Sequence, residues 1–446
     1  MRIELPEHVK KIIYGLEAAG FEAYAVGGCV RDSILGRRPQ DWDITTSARP
    51  EEVKALFPHT IDTGIAHGTV TIMMDHMGYE VTTYRIDGEY EDSRHPKEVI
   101  FTGDLVKDLQ RRDFTINAMA YNEEKGLVDA FDGMGDLKRG IIRCVGNPIE
   151  RFTEDALRML RAVRFAAQLG FTIEESTKNA IAKLASSIEK VSAERIQTEL
   201  IKLLVSGHPE ELKTAYELSL TKVFLPEFDV MMETDQKNKH HCYTVGQHTI
   251  VALCNVRQDK VLRLAILLHD VAKPCCITTD EKGQNHFKGH PAVGAKMTRD
   301  ILKRLKLDND TIDRVCVLVE NHDERPMLTE RNVRRAVNRV GTELFPLLLE
   351  VKEADTLAQS DYRREEKLSY IKEYRELFEK VIREEQCVKK SDMNIKGKDL
   401  IALGMKPGKD LGTVLDQLFE MVLEDPRKNT KENLIEEAHK LITPFI

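Results

Sequence analysis

Apolar positions change their period along the chain. "FEAYAVGG", residues 21–28, is a short apolar run that ends in glycines, and it predicts a strand followed by a turn. "VRDSILG" predicts a helix closed by Gly36. "DWDITTS" predicts a second strand. "GTVTIMMDHMGYEVTTYR" has β-branched runs on both sides of a turn near Asp75–Gly78, the pattern of a hairpin. Beyond residue 150 the strand signal fades. Helical periodicity then runs to the end, broken near Gly170, Gly207, Pro226, Pro291, Pro326 and Pro407. The expected fold class is α+β, with a mixed-sheet head followed by an elongated all-α body. One helix is expected across "EDALRMLRAVRF", residues 154–165, with arginines at every third place.

The 446 residues suffice for several domains. A hydrophobic share of 41% and a charged share of 31% describe a globular chain, outside the range of disorder. No apolar run approaches the ~18–20 residues that cross a bilayer. The opening "MRIELPEHVKK" lacks a signal-peptide core, so a cytoplasmic protein with no membrane partner is expected. Eight scattered cysteines with no CxxC pair fit reduced thiols. A net charge of −8 argues against an evenly basic nucleic-acid binder, but it leaves room for a local basic groove.

Asp41 and Asp43 flank Trp42. Two apart on a strand, their carboxylates share a face and need a cation between them. Hard oxygen donors suit Mg²⁺, and a two-metal site would clamp both attacking and leaving oxygens. An isolated DxD is more often a solvated strand end. Here "GGCVRD", Gly27 to Asp32, precedes it, and glycines between strand and helix let backbone N–H groups approach a phosphate.

"GGCVRDSILG" with "DWDIT" resembles the nucleotidyltransferase signature of the DNA polymerase β superfamily. "RRDFTINAMA", "DAFDGMGDLKRGIIRCVG" and "EDALRMLRAVRFAAQLGF" resemble further motifs of the class II tRNA nucleotidyltransferases, the CCA-adding enzymes and their bacterial poly(A) polymerase relatives. The resemblance implies a polymerase-β-like head in which Gly28 and Arg31 contact the nucleotide. It further implies that Asp41 and Asp43 bind Mg²⁺, that Glu80 supplies a third carboxylate, and that Arg112 binds phosphates. Asp113 is expected to orient its neighbours. The polar segment Arg85 to Val99 resembles the flexible loop used in switching from C to A.

Asp155 and Arg158, three apart on the expected helix, would offer an acceptor beside a fork of donors. Cytosine and adenine present an amino donor next to a ring acceptor, whereas uracil and guanine would face Asp155 with a carbonyl. Read alone, the pair is more often a plain salt bridge. A three-residue step drifts by about 60°. Arg161 is therefore expected to touch the nucleotide, and Arg164 either to reach phosphates or to brace a neighbouring helix.

His248, the pair His269-Asp270, and Asp355 follow the order H…HD…D and resemble HD-domain metal-dependent phosphohydrolases. Such ligands suit Mn²⁺, Ni²⁺, Fe²⁺ or Zn²⁺ better than Mg²⁺ alone. His286, His290 and His322 could add ligands for a second ion, and Lys273 could bind a phosphate. Such a module is either an active hydrolase or a scaffold. Near the C-terminus Lys396, Lys398, Lys406 and Lys409 cluster around glycine turns, similar to the region of class II enzymes that rests on the tRNA elbow.

The expected organisation is a head over 1–142, a helical neck with the base-reading template over 143–205, a body with the HD-type site over 206–380, and a tRNA-binding tail over 381–446. The expected activity is CCA addition to tRNA from CTP and ATP. The alternatives are an A-adding enzyme, a poly(A) polymerase, or an HD phosphohydrolase with a nucleotide-sensing head. Oligomeric state stays open.

Overall fold

The computed structural model describes residues 2–88, 99–237, 239–240 and 242–442. The chain forms two compact units, Met1–Asp229 and Val230–Ile446, whose boundary falls inside the expected 206–380 segment.

The first unit is built on a seven-stranded mixed sheet. Its strands are β1 (Ala23–Val26), β2 (Ile44–Thr46), β3 (Thr60–Gly64), β4 (Thr69–Met74), β5 (Met77–Thr83), β8 (Ala120–Asn122) and β9 (Gly126–Val128). Their spatial order is β3-β4-β5-β2-β1-β8-β9, and β6 (Arg85–Asp87) and β7 (Val99–Phe101) form a separate ribbon. β1, "AYAV", is buried along its whole length, as a central strand covered on both faces should be. The β4–β5 hairpin turns at Asp75 and His76, both with positive φ, the signature of a type I′ turn. The expected switching loop lies mostly at residues 89–98, outside the described residues.

The helices of this unit begin with α1 (Glu7–Ala18), α2 (Gly28–Ile34), α3 (Pro50–Leu56), α4 (Leu105–Gln110) and α5 (Gly133–Arg139). The series continues with α6 (Pro148–Glu154), α7 (Leu157–Leu169), α8 (Glu175–Leu184), α9 (Ala193–Leu204), α10 (Leu212–Glu217) and α11 (Thr221–Phe224). α7 buries Leu157, Met159, Leu160, Val163 and Phe165, which fixes its rotation against α9.

Two local expectations are corrected. The expected helix 154–165 is two helices. Asp155 between them is extended (φ −142°, ψ 103°), and its carboxylate accepts the Leu157 N–H as a cap to α7. The strand expected from Asp41 begins only at Ile44. The Asp43 backbone carbonyl still accepts the Val26 N–H at 3.0 Å, so the acidic segment continues the β1–β2 ladder with its carboxylate free of that bond.

The second unit is helical. After α12 (Pro226–Glu233) come α13 (Val245–Cys254), α14 (Lys260–Leu268), α15 (His290–Arg304), α16 (Asn309–Asn321), α17 (Glu330–Val340), α18 (Phe345–Leu357) and α19 (Arg364–Arg383). Then follow α20 (Gly397–Ala402), α21 (Lys409–Glu424) and α22 (Lys431–Ile442), packed over a core that includes Val414, Leu418, Val422 and Leu434.

Candidate active site

β2 and β5 run parallel with Ile44 opposite Val81. Asp43 and Glu80 each precede those residues by one, so the register brings them to the same sheet end, with Asp41 two residues before. Desolvation raises the Asp43 carboxyl above its ordinary value. Arg112 opposes that rise, and Glu80 and Asp41 add to it. Each acid thus makes charge on the others costlier, which bound cations relieve. The hard-oxygen donor set fits Mg²⁺.

The glycine turn lies beside these acids. Gly27 has φ +82°, and a Cβ there would stand 3.0 Å from Arg112 Nη1. A side chain at this position would therefore be strained and would push the guanidinium away. Buried Asp108 holds that arginine segment. It pairs with Arg111 at 2.9 Å and Arg112 at 3.8 Å, and it accepts the Thr45 hydroxyl at 3.1 Å. Arg31, on the first turn of α2, pairs with Asp32 and donates to Asn117 Oδ1 at 2.7 Å.

Asn117 in turn donates to Asp113, and Asp113 pairs with Arg161 at 2.7 Å. Burial works against charge on Asp113, but Arg161 and Asn117 outweigh it and hold the carboxyl well below the usual range. Asp113 therefore orients its neighbours. Arg164 is buried, pairs with Glu199 of α9 at 2.7 Å and lies over the Phe165 ring. This pair ties α7 to α9.

Asp155 lies in the α6–α7 junction and Arg158 on the first turn of α7, so they do not share one helix face; the Arg158 N–H donates to the Asp155 carbonyl at 3.0 Å, and their side chains go to different partners. Arg195 of α9 grips both oxygens of Asp155 at 2.7 and 3.2 Å. Arg158 pairs with Glu154 at 2.6 Å and donates to the Arg151 and Arg111 carbonyls. Asp108, Arg195 and Glu199 were missed in the sequence, where each reads as an ordinary surface charge. The spacing of Arg195 and Glu199, one turn apart on an amphipathic helix, is the only local hint.

In the second unit, His248, His269, Asp270, His290, His322 and Asp355 converge. Each histidine has Nδ1 on a backbone carbonyl: Ala358, Ile266, Phe287 and Val319 respectively. A carbonyl only accepts, so Nδ1 carries the proton and Nε2 of the neutral ring is a lone pair. The His248 and His269 Nε2 atoms are 3.3 Å apart, and so are those of His290 and His322. Asp270 lies within reach of all four rings, and Asp355 Oδ1 is 2.9 Å from His248. Lone pairs so crowded require protons or cations between them. Two overlapping donor sets share Asp270, one with His248 and His269 and one with His290 and His322. His286 does not join them; it pairs with Asp280 in an exposed turn. Lys273 pairs with Asp270 at 2.7 Å and, with Lys239, Lys288, Arg325 and Lys367, lines an adjoining cavity of about 590 Å³.

Lys396, Lys398, Lys406 and Lys409 are all exposed, around α20 and the start of α21.

Family models match three stretches: the poly A polymerase head domain at 23–143, the probable RNA and SrmB-binding site of polymerase A at 170–232, and tRNA nucleotidyltransferase domain 2 at 292–438. A CCA-adding enzyme of Ligilactobacillus salivarius is 35% identical over 453 residues, covering 98% of each chain. The chain belongs to the CCA-adding enzymes, the class II tRNA nucleotidyltransferases. Its first half is more similar still to the CCA-adding enzyme of Lactiplantibacillus plantarum, at 56% identity over 200 residues; that match spans 45% of this chain and about half (49%) of its relative. Among solved structures, the Bacillus stearothermophilus CCA-adding enzyme in complex with CTP superposes with a TM-score of 0.73 at 30% identity, over 96% of both chains. The Thermotoga maritima CCA-adding enzyme complexed with tRNA shares the fold, with a TM-score of 0.58 at 21% identity over 99% of both. No helix among the described residues is long and apolar enough to cross a membrane.

Proposed function

We propose that this protein completes the 3′ end of tRNA by adding C, C and A from CTP and ATP. The observation that carries this reading is the convergence of Asp41, Asp43 and Glu80 beside Arg112 and the Gly27–Gly28 turn. The tRNA 3′ hydroxyl attacks the α-phosphate, and pyrophosphate leaves. Asp41, Asp43 and Glu80 would hold Mg²⁺, which when bound favours deprotonation of the hydroxyl and offsets charge on the leaving group. The glycine-turn N–H groups, Arg31 and Arg112 grip the triphosphate. Asp155 accepts from the amino group of C or A while Arg158 donates to the ring edge. A base without that amino group leaves Asp155 facing a carbonyl and is rejected. Arg161 borders this site, and the four exposed lysines of the tail suit phosphates of the tRNA body. Free thiols throughout the eight cysteines support a reducing, cytoplasmic setting.

The six-donor cluster supports a second centre, for Mn²⁺, Ni²⁺, Fe²⁺ or Zn²⁺, as in the HD phosphohydrolases that the sequence resembles. Its cationic rim suits a phosphate ester.

The test supplies tRNA ending before the first C, or ending in CC, with labelled CTP, ATP or both. The expected result is C on the first tRNA and A on the second. Failure to add C to the shorter tRNA would point to an A-adding enzyme, and incorporation into general RNA to a poly(A) polymerase.

A further inference from the structure

One eight-residue stretch, 352 to 359, frames the histidine–aspartate cluster of the second unit. Asp355 is a donor in it. The Ala358 carbonyl fixes the ring of His248. Two further side chains touch no candidate ion but hold groups that do. Gln359 is buried, and its amide nitrogen lies 3.1 and 3.0 Å from the two oxygens of Asp355. Its amide oxygen accepts from Lys367 at 2.6 Å, which sets the orientation of the amide. Lys352 is also buried, and its ammonium donates to the carbonyls of Asn321, His322 and Glu324 at 3.1, 2.6 and 2.7 Å. All three of its protons are used on the end of α16, so although Lys352 borders a cavity, none is left for a ligand there.

We propose that Gln359 and Lys352 are positioning residues of this centre, each governing a different ion. Gln359 orients Asp355, which belongs with His248 and His269. Lys352 clamps the end of α16 and with it His322, which belongs with His290. The proposal rests on reading the cluster as a metal centre. The physical basis is that a ligand carboxylate or imidazole binds tightly only when its approach is fixed beforehand. Gln359 leaves lone pairs of Asp355 for the ion and removes its freedom to turn away. Lys352 does the same for His322 through the backbone, where a side-chain partner would compete with the metal.

The test is Mn²⁺ titration of the full chain by calorimetry, with metal content measured after dialysis. The titration is run in excess Mg²⁺, which occupies the head carboxylates, and the wild type is expected to bind two further Mn²⁺ ions per chain. Gln359→Leu is expected to weaken one of them by about 10–100-fold and leave the other near wild type. Lys352→Met is expected to weaken the complementary one. Thermal midpoints of the metal-free variants show whether each still folds; Lys352→Gln replaces Lys352→Met if that variant does not, and if neither folds, Gln359→Leu decides alone. A wild-type titration curve for Gln359→Leu would overturn the proposal, as would equal weakening of the same ion by both variants. If the wild type bound no Mn²⁺ beyond the head site, or if His269→Ala bound as many ions as the wild type, the metal-centre reading itself would fall.

Discussion

Asp43 shows how much a single residue carries. Burial raises its carboxyl above the ordinary Asp value, Glu80 and Asp41 add to the rise, and a bound cation is what would let the three acids carry charge together. Glu80→Gln removes one source of that rise and one oxygen donor together. Incorporation of CMP should fall by at least about 100-fold while tRNA affinity, measured by filter binding, stays near wild type. Arg164 offers the opposite case. It is buried against Glu199, and Arg164→Ala leaves that carboxylate only the longer 3.6 Å contact to Arg161. The cost should be about 1–3 kcal/mol in urea unfolding, since Arg161 still faces Glu199, with base choice unchanged in the folded protein. Asp41, Asp43, Gly28, Arg31 and Arg112 stand out as candidates in the sequence because they sit in short contiguous motifs. Asp108, Arg195, Gln359 and Lys352 do not. Their partners lie far away in the chain, and only the fold turns such scattered charges and amides into buried holders of site residues.

Among the elements, the α6–α7 junction departs most from its sequence pattern. Apolar periodicity runs through residues 154–165 with no proline or glycine, so nothing in it marks a break. The break comes from Asp155, which caps α7 and is gripped by Arg195, an interaction that periodicity cannot show. The same segment is tied to the arginine motif through Asp113 and Arg161. Because the Asp113 carboxyl is held well below its ordinary value, this tie contributes stability above the unfolded value of about 3.9 and loses it as pH falls further. Urea midpoints should drop for the wild type on acidification below about pH 4. Asp113→Asn should start from a lower midpoint and lose less over the same range. The β4–β5 hairpin and the helix ending at Gly36, by contrast, follow their patterns closely, because turn chemistry and end signals are local.

At the scale of the whole molecule, two compact units carry two different donor chemistries: carboxylates alone in the first, and histidines with carboxylates in the second. A chain built this way is not expected to unfold in one step. Calorimetry of the full chain should resolve two transitions, and Mn²⁺ added over excess Mg²⁺ should raise the midpoint of one of them by binding its folded form. The order of head and helical body was legible from the fading of strand signals, whereas the unit boundary at 229/230 has no linker-like composition to mark it. Base selection by protein side chains is the centre of the functional reading. It is tested most directly by single-turnover incorporation of CTP and UTP into tRNA lacking its CCA end, for the wild type and Asp155→Ala. The expected result is a loss of about 1–3 kcal/mol of CTP-over-UTP discrimination in the variant, with tRNA binding near wild type. Unchanged discrimination in Asp155→Ala would contradict it.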